Sequence, residues 1–217
     1  MAYNFDTIAN TYDRLNRVMT LGLDRRWRRC AVRGLQGTVL DVACGTGDMV
    51  LELQKHGCTV TGVDLSEEML SIAKRKVENG QWEIADAEHL PFPDDSFDAV
   101  TCAFGVRNFV HLEQGLKEML RVLKPGGRMV ILELATPDSK LIRPFYNLYT
   151  KRIIPWLGSR IAGNREAYTY LPLSIKRFPK GKAFLRILGD SVAEHATERK
   201  LTLGVCRLYK IDKEAAS

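Results

Sequence analysis

The feature that most restricts how this chain can fold is the run VLDVACGTGD at residues 39–48. A short apolar, β-branched segment ends in small residues, and a helical pattern over 47–56 opens directly behind the glycines. Gly45 and Gly47 permit positive φ and let a ligand approach the backbone closely. The helix behind them presents free N–H groups in its first turn. Such a turn suits a nucleotide-type cofactor. It is not the GxGxxG of a dinucleotide fold, nor a P-loop, because no GK[ST] follows.

The alternation continues along the chain. TVLDVA (38–43), CTVTGVD (58–64), QWEIADA (81–87), FDAVTCAF (97–104) and RMVILELA (128–135) read as strands, with helical stretches at 47–56, 66–78 and 111–123. Apolar strands separated by helices form βαβ units and a mostly parallel sheet. Ser66 followed by Glu67 and Glu68 reads as an N-cap with an acidic first turn. LKPGG (123–127) reads as a helix stop feeding a turn, and LTLGVCRLY (201–209) as a closing strand. A chain of 217 residues, 45% hydrophobic and 27% charged, can bury a real core, which excludes a disordered tail or a small disulfide scaffold.

Two more acids extend the pattern. Asp64 ends the second strand, 23 residues after Asp41, where a carboxylate can accept from both ribose hydroxyls. Asp86 and Ala87 end the third, where a carboxylate suits an exocyclic amine such as that of adenine. Either acid alone is more often an N-cap. In this order they form a nucleoside pocket at a topological switch point.

The D-x-x-x-G-x-G turn, the acidic second-strand end, the D-A third-strand end and LKPGG together resemble the class I S-adenosylmethionine-dependent methyltransferases. The resemblance implies an α/β, Rossmann-like fold with a seven-stranded, mostly parallel sheet in the order 3-2-1-4-5-7-6 and an antiparallel final hairpin. Strand six is then expected near 190–197 and strand seven at 201–209. One domain over 1–217 is expected: a helical N-terminal lid (1–35), a cofactor-binding core (36–138), an inserted helical substrate lid (139–190), and a closing hairpin and tail (191–217).

Three stretches narrow the match. FDTIANTYDRLNRVMTLGLDRRWRR (5–29), FGVRN (104–108) and REAYTYLPLSIKRFP (165–179) resemble the ubiquinone/menaquinone biosynthesis C-methyltransferases. Cys44 stands where that family usually has Gly, and Asp24 where it often has His. The resemblance implies methylation of a ring carbon on a polyprenylated quinol: demethylmenaquinol first, or a benzoquinol of the ubiquinone pathway. The cofactor would be S-adenosyl-L-methionine, leaving as S-adenosyl-L-homocysteine, with no metal. It implies cofactor contacts at Asp41, Gly45, Thr46, Gly47, Asp64, Leu65, Asp86, Ala87 and Ala103. The core motifs also admit another small-molecule or lipid acceptor. An RNA-binding methyltransferase finds support in an isoelectric point near 9.1 and in the arginines of 25–33, but no RNA-binding module is present and FGVRN replaces an NPPY-type loop.

Making a ring carbon nucleophilic needs a phenolate, a cation to hold it, and a base or water relay. Arg107, expected on the loop facing the cofactor, could hold the phenolate oxygen, orient a water, or form a surface salt bridge. Asp48 could relay a proton, or serve as a favourable charge at a helix N-terminus. Tyr12, in the N-terminal lid, could position the ring or pack in the core, and Asn108 could bond a quinol oxygen or cap a turn. His56, His89, His111 and His195 stand near no partner by spacing and read as surface or satisfied polar residues.

Charge is unevenly spread. Residues 1–138 hold 16 Lys/Arg and 20 Asp/Glu (−4), and residues 139–217 hold 16 and 6 (+10), for a net +6. KLIRPFYNLYTKRIIPWLGSR (140–160) interleaves cations with apolar and aromatic residues, which could rest at an anionic membrane surface or form an ordinary lid. No uncharged apolar run of ~18 residues exists, and MAYNFDTIANTYDR lacks a signal-peptide pattern. Five scattered cysteines without CxxC spacing point to a reducing compartment, free thiols and no zinc site. The expectation is a cytoplasmic protein, with peripheral contact to the inner face of the membrane as an option. No nucleic-acid partner is expected, and a homodimer is left open.

Overall fold

The computed structural model describes residues 9–154, 172–189, 192 and 194–215. Seven strands form one sheet: β1 (Thr38–Val42), β2 (Thr59–Asp64), β3 (Gln81–Ile84), β4 (Phe97–Ala103), β5 (Leu123–Leu134), β6 (Ala196–Leu201) and β7 (Cys206–Asp212). Their order is β3-β2-β1-β4-β5-β7-β6. The first five pair in parallel, while β7 runs antiparallel to both β5 and β6.

The inner strands are mostly apolar because both sheet faces are covered, with Asp41 of β1 and Thr101 of β4 as buried polar exceptions. Val39, Val60, Val130 and Leu132 pack with Trp27, Val50 and Leu53 on one side. Leu40, Val100, Met129 and Ile131 pack with Leu116, Met119 and Phe184 on the other. The first face is closed by α2 (Leu23–Ala31), α3 (Asp48–Lys55) and α4 (Glu67–Lys76), the second by α5 (Leu112–Arg121). Ser66 caps α4 as expected, its hydroxyl accepting from the Met69 N–H at 3.1 Å.

LKPGG does more than stop a helix. α5 ends at Arg121, Leu123 already pairs with Phe97, and the ladder resumes only at Arg128 opposite Ala99. Residues 124–127 therefore bulge out of β5. Gly126 donates its N–H to the Lys213 carbonyl at 3.0 Å. A Cβ on Gly127 would fall 2.8 Å from the Lys124 carbonyl oxygen and 2.9 Å from that of Asp98.

The closing hairpin sits later than its sequence pattern suggests. Strand six is Ala196–Leu201 rather than 190–197, of which residues 190, 191 and 193 lie outside the described ones. Strand seven is Cys206–Asp212 rather than 201–209. The alternation of LTLGVCRLY is broken by a turn in which Thr202, Leu203 and Gly204 all take positive φ (45°, 58° and 87°). The Trp27 indole donates to the Thr202 hydroxyl at 2.8 Å and pins that turn. β6 escapes a hydrophobic reading because it is a polar, largely exposed edge strand.

The N-terminal helix α1 (Ala9–Met19) and the inserted segment meet. After α6 (Arg143–Leu148) the chain continues as a π-turn over Tyr149–Ile153, and the Tyr149 hydroxyl donates to the carbonyls of Val18 and Met19 at 3.1 and 3.3 Å. Residues 5–8 and 165–171 of the motif stretches, and 155–160 of the basic stretch 140–160, fall outside the described residues. No described helix is long and apolar enough to cross a membrane. All five cysteines are free thiols.

Gly127→Ala forces a methyl against two backbone carbonyls, and we expect it to destabilise the fold by about 1–3 kcal/mol. Urea unfolding followed by circular dichroism measures it, and an unchanged midpoint would refute the contact.

Candidate active site

The C-terminal ends of β1, β2 and β4, together with the turn after β3, surround a cavity of about 230 Å³. Its wall is built from Ala43 and Gly45 after β1, Asp64, Leu65 and Ser66 after β2, Ala85–Glu88 after β3, and Ala103–Gly105 with Asn108–Val110 after β4. Tyr12 reaches it from α1. Small side chains at 43, 85, 87 and 103 leave room beside the backbone.

The first turn is shaped by backbone strain. Ala43 (φ 53°) and Phe104 (φ 62°), which follow the last residues of β1 and β4, both adopt the left-handed region that a non-glycine residue enters only at a cost. Gly45 has φ 55°, and a Cβ there would meet only the Tyr12 ring, at 3.9 Å. One carboxylate joins the first two crossovers: Asp64 accepts the Gly45 N–H at 2.8 Å and the Ser66 N–H at 2.9 Å. The same carboxylate borders the cavity. Asp86 accepts the Glu88 N–H at 2.9 Å and also borders the cavity.

Gly47 lies behind that wall. A Cβ on Gly47, Gly62 or Gly80 would fall 3.0, 2.7 or 2.6 Å from the Trp82 indole, which covers all three. Cys44 packs beside the same spot: a Cβ on Gly62 would be 3.0 Å from its sulfur.

A charge network braces the turn from outside. Thr46 donates its hydroxyl to Asp13 of α1, and Lys76 pairs with Asp13 at 2.7 Å and also with Asp48. Asp48 faces Arg28 at 3.8 Å, Arg28 pairs with Asp24 at 2.6 Å, and Asp24 accepts from the Thr20 hydroxyl at 2.9 Å. Burial works to raise the Asp48 carboxyl, but Arg28 and Lys76 override it and hold it below its usual value. Asp48 is thus a paired charge at a helix start and is not part of the cavity wall.

Arg107 also differs from its expected place on the cavity face. Its guanidinium is buried and pairs with Glu133 at 2.7 Å, while the same nitrogen donates to the Phe104 carbonyl. Asn108, one residue on, does line the cavity. The Tyr12 hydroxyl is pushed up by burial, against the pull of the nearby Arg107 charge.

Asp41 stands under the turn, buried in the centre of the sheet. One oxygen accepts from the Thr101 hydroxyl at 2.6 Å and the other has no hydrogen-bond partner. Burial raises its carboxyl to about 7, with the Thr101 bond opposing. Of the residues singled out from sequence, Tyr12, Gly45, Asp64, Leu65, Asp86, Ala87, Ala103 and Asn108 meet at the cavity. Asp41, Thr46, Gly47, Asp48 and Arg107 form the layer behind it.

Two acids went unnoticed in the sequence. Glu88 accepts the N–H groups of Val110 and His111 at 2.7 and 2.8 Å and bonds the His111 ring at 2.8 Å, so His111 has a partner after all. No local pattern announces a contact across 22 residues. Glu133 did leave a signal: it is the one acid inside the apolar run of β5.

The chain matches the ubiE/COQ5 methyltransferase family over residues 2–213. It belongs to that family. It is 44% identical to the ubiquinone/menaquinone biosynthesis C-methyltransferase UbiE of Geobacter sulfurreducens, over 96% of this chain and 86% of that protein. It is 41% identical to the demethylmenaquinone methyltransferase of Bacteroides fragilis, over 96% and 90%. Its fold is similar to that of a SAM-dependent methyltransferase from Thermotoga maritima, with a TM-score of 0.67 at 20% identity, covering 97% of this chain and 98% of that one. As a member of the family the chain is a methyltransferase, on a Rossmann-like class I fold.

The Asp41 carboxyl yields a prediction. The unfolded chain releases this proton near pH 4 and the folded one near pH 7, so this group makes stability fall as pH rises between the two. Asp41→Asn removes that contribution. Urea midpoints from pH 4 to 7 should fall less steeply in the variant than in the parent, and parallel curves would show that the group titrates normally.

Proposed function

We propose that the protein transfers a methyl group from S-adenosyl-L-methionine to a ring carbon of a polyprenylated quinol, with demethylmenaquinol the foremost acceptor. The observation that carries this reading is a single cavity that joins two kinds of wall. Asp64 and Asp86 border it together with Tyr12 and Asn108. The names of the two curated relatives supply the acceptor class.

The residues fit such a cofactor. Gly45 offers an open backbone surface, Asp64 borders the cavity where ribose hydroxyls would be met, and Asp86 where an exocyclic amine would be met. Leu65 (65% exposed), Ala87 and Ala103 offer apolar surface for the flat and aliphatic parts. Asp41, Thr46 and Gly47 act on it indirectly, by shaping the turn. When bound, the cofactor supplies an electrophilic sulfonium methyl.

The quinol enters as its phenolate, its proton given up to solvent before the lid closes. The ring hydrogen that the methyl displaces leaves as a proton to solvent, restoring the aromatic ring. The chain's own contribution is to orient the quinol and to stabilise that phenolate. Tyr12, kept protonated by burial, donates a hydrogen bond to a ring oxygen, and the Asn108 amide holds the second. Arg107 stabilises developing negative charge from one layer back, a longer range than direct contact. Asp48 carries no proton; with Lys76 and Asp13 it fastens α1 over the turn. In this reading α1 and the described part of the inserted segment, joined through Tyr149, act as one lid that excludes water from the acceptor.

The lid also offers a face for a membrane. Leu141, Phe145 and Leu148 recur at helical spacing and are 83%, 74% and 51% exposed. Lys140, Arg143, Lys151 and Arg152 are exposed around them. Apolar side chains with a cationic surround suit the interface of an anionic bilayer, where a prenylated acceptor resides.

Incubation with labelled S-adenosylmethionine and demethylmenaquinol, with mass spectrometry of the product, should yield a quinol one methyl heavier on the ring. Transfer to no quinol would overturn the assignment. In flotation assays the protein should bind vesicles rich in phosphatidylglycerol at low salt, and Leu141→Asp with Phe145→Asp should weaken binding about tenfold or more. Absence of binding by the parent protein would remove the membrane role.

A further inference from the structure

We infer that Glu133, which does not line the cavity, is a positioning residue for methyl transfer: it fixes Arg107 and, through Arg107, the turn that carries Phe104, Gly105 and Asn108 into the cavity wall. The inference rests on the proposed transfer to a quinol, and it adds a residue that neither the cavity nor the sequence motif contains.

The geometry carries it. Glu133 sits at the end of the sheet, in β5, with its side chain 1% exposed, and Arg107 faces it at 2.7 Å with a side chain 5% exposed. Both carboxylate oxygens are committed. Oε1 accepts from the Arg107 guanidinium and, at 2.8 Å, from the Leu134 N–H; Oε2 accepts from the Arg107 backbone N–H at 3.3 Å. One acid thus holds both ends of the same arginine. The guanidinium nitrogen that meets Glu133 also donates to the Phe104 carbonyl. That bond caps the residue whose φ of 62° is the unfavourable one.

Phe104 is clamped elsewhere as well. Its N–H donates to the Leu132 carbonyl at 2.7 Å, the Trp27 ring meets it edge-on at 6.2 Å, and the Arg28 guanidinium lies 5.2 Å from its centre. Beyond the turn, the Asn108 N–H closes on the Gly105 carbonyl at 2.9 Å. The path from Glu133 to the cavity is therefore short and made of hydrogen bonds. A buried ion pair contributes little to stability against an apolar replacement, so retaining one directly behind a reactive cavity is better explained by fixing a charge in space.

The charge reaches the cavity through Tyr12. The groups acting on its hydroxyl are Arg107 from the turn after β4, Arg28 from α2 and Asp64 at the end of β2, with the Asn16 side chain as hydrogen-bond partner. Removing the Glu133 charge leaves the Arg107 cation less neutralised, and the Tyr12 phenol should ionise at lower pH. Removing both charges should move it the other way.

The test uses the full chain with Glu133→Gln, Glu133→Asp, Arg107→Met and the double variant Arg107→Met/Glu133→Leu. In the double variant two apolar side chains replace the pair, and it is expected to fold. For Glu133→Gln, kcat should fall about 10- to 100-fold, while the dissociation constant for S-adenosyl-L-homocysteine, by calorimetry, stays within about twofold. Glu133→Asp should recover part of the lost turnover. Loss in the double variant should be no greater than in Arg107→Met, because the two residues act as one. A second readout needs no acceptor: the protein is labelled with 3-fluorotyrosine, Tyr12 is assigned with Tyr12→Phe, and its ¹⁹F resonance is titrated. It should move to lower pH in Glu133→Gln and to higher pH in the double variant. Unchanged kcat, additive losses or an unmoved Tyr12 titration would overturn the inference. If the unmodified protein methylated no quinol, the proposed reaction would fail while the titration still tested the Glu133–Arg107–Tyr12 coupling.

Discussion

The cavity depends on one carboxylate that serves two turns. Asp64 accepts from the Gly45 N–H and the Ser66 N–H, so the loop after β1 and the loop after β2 share a single anchor. The parallel register that places Asp41 opposite Gly62 brings those loops level. Without this link the turn, left-handed at Ala43, Gly45 and Gly47, would keep only its backbone bonds from Cys44 to Val63 and from Gly47 to Cys44 on the inner side. With it, the turn is fixed from inside, and Thr46, Asp13, Lys76, Asp48 and Arg28 brace it from outside. A group already bonded to two backbone donors is also preorganised, which lowers the cost of ordering it when a ligand arrives.

Much of this was legible in the residues because it is local. A strand that ends in a glycine turn and opens a helix is written within ten consecutive positions, and Ser66 announces its cap within four. The sheet order followed from that turn together with the spacing of Asp64 and Asp86, through the resemblance they carry. The closing hairpin was displaced because its information is not local: β6 is polar and exposed, and the turn at 202–204 is held by Trp27 from the other end of the chain.

The site divides along the same line. Residues next to a strand end were placed well, since a parallel sheet delivers strand ends to one edge whatever else surrounds them. Directions of long side chains were not. Arg107 and Asp48 lie in the right loops yet point away from the cavity, drawn by Glu133 and Lys76, which are distant in sequence. Glu88, likewise, finds the start of α5 only after the chain has crossed the sheet. A motif gives the address of a charged residue; its partner decides where the charge goes.

Trp82 has a bearing on how this sequence can drift. Its indole leaves no space for a side chain at Gly47, Gly62 or Gly80, three positions on separate segments. Exchange of the tryptophan for a slimmer residue would relieve Gly80, while Gly62 would still meet the Cys44 sulfur and Gly47 would keep its positive φ and its neighbours Val77 and Ala73. One ring thus ties three distant positions to the same small residue, and a change at any of them has to be answered by movement of the indole.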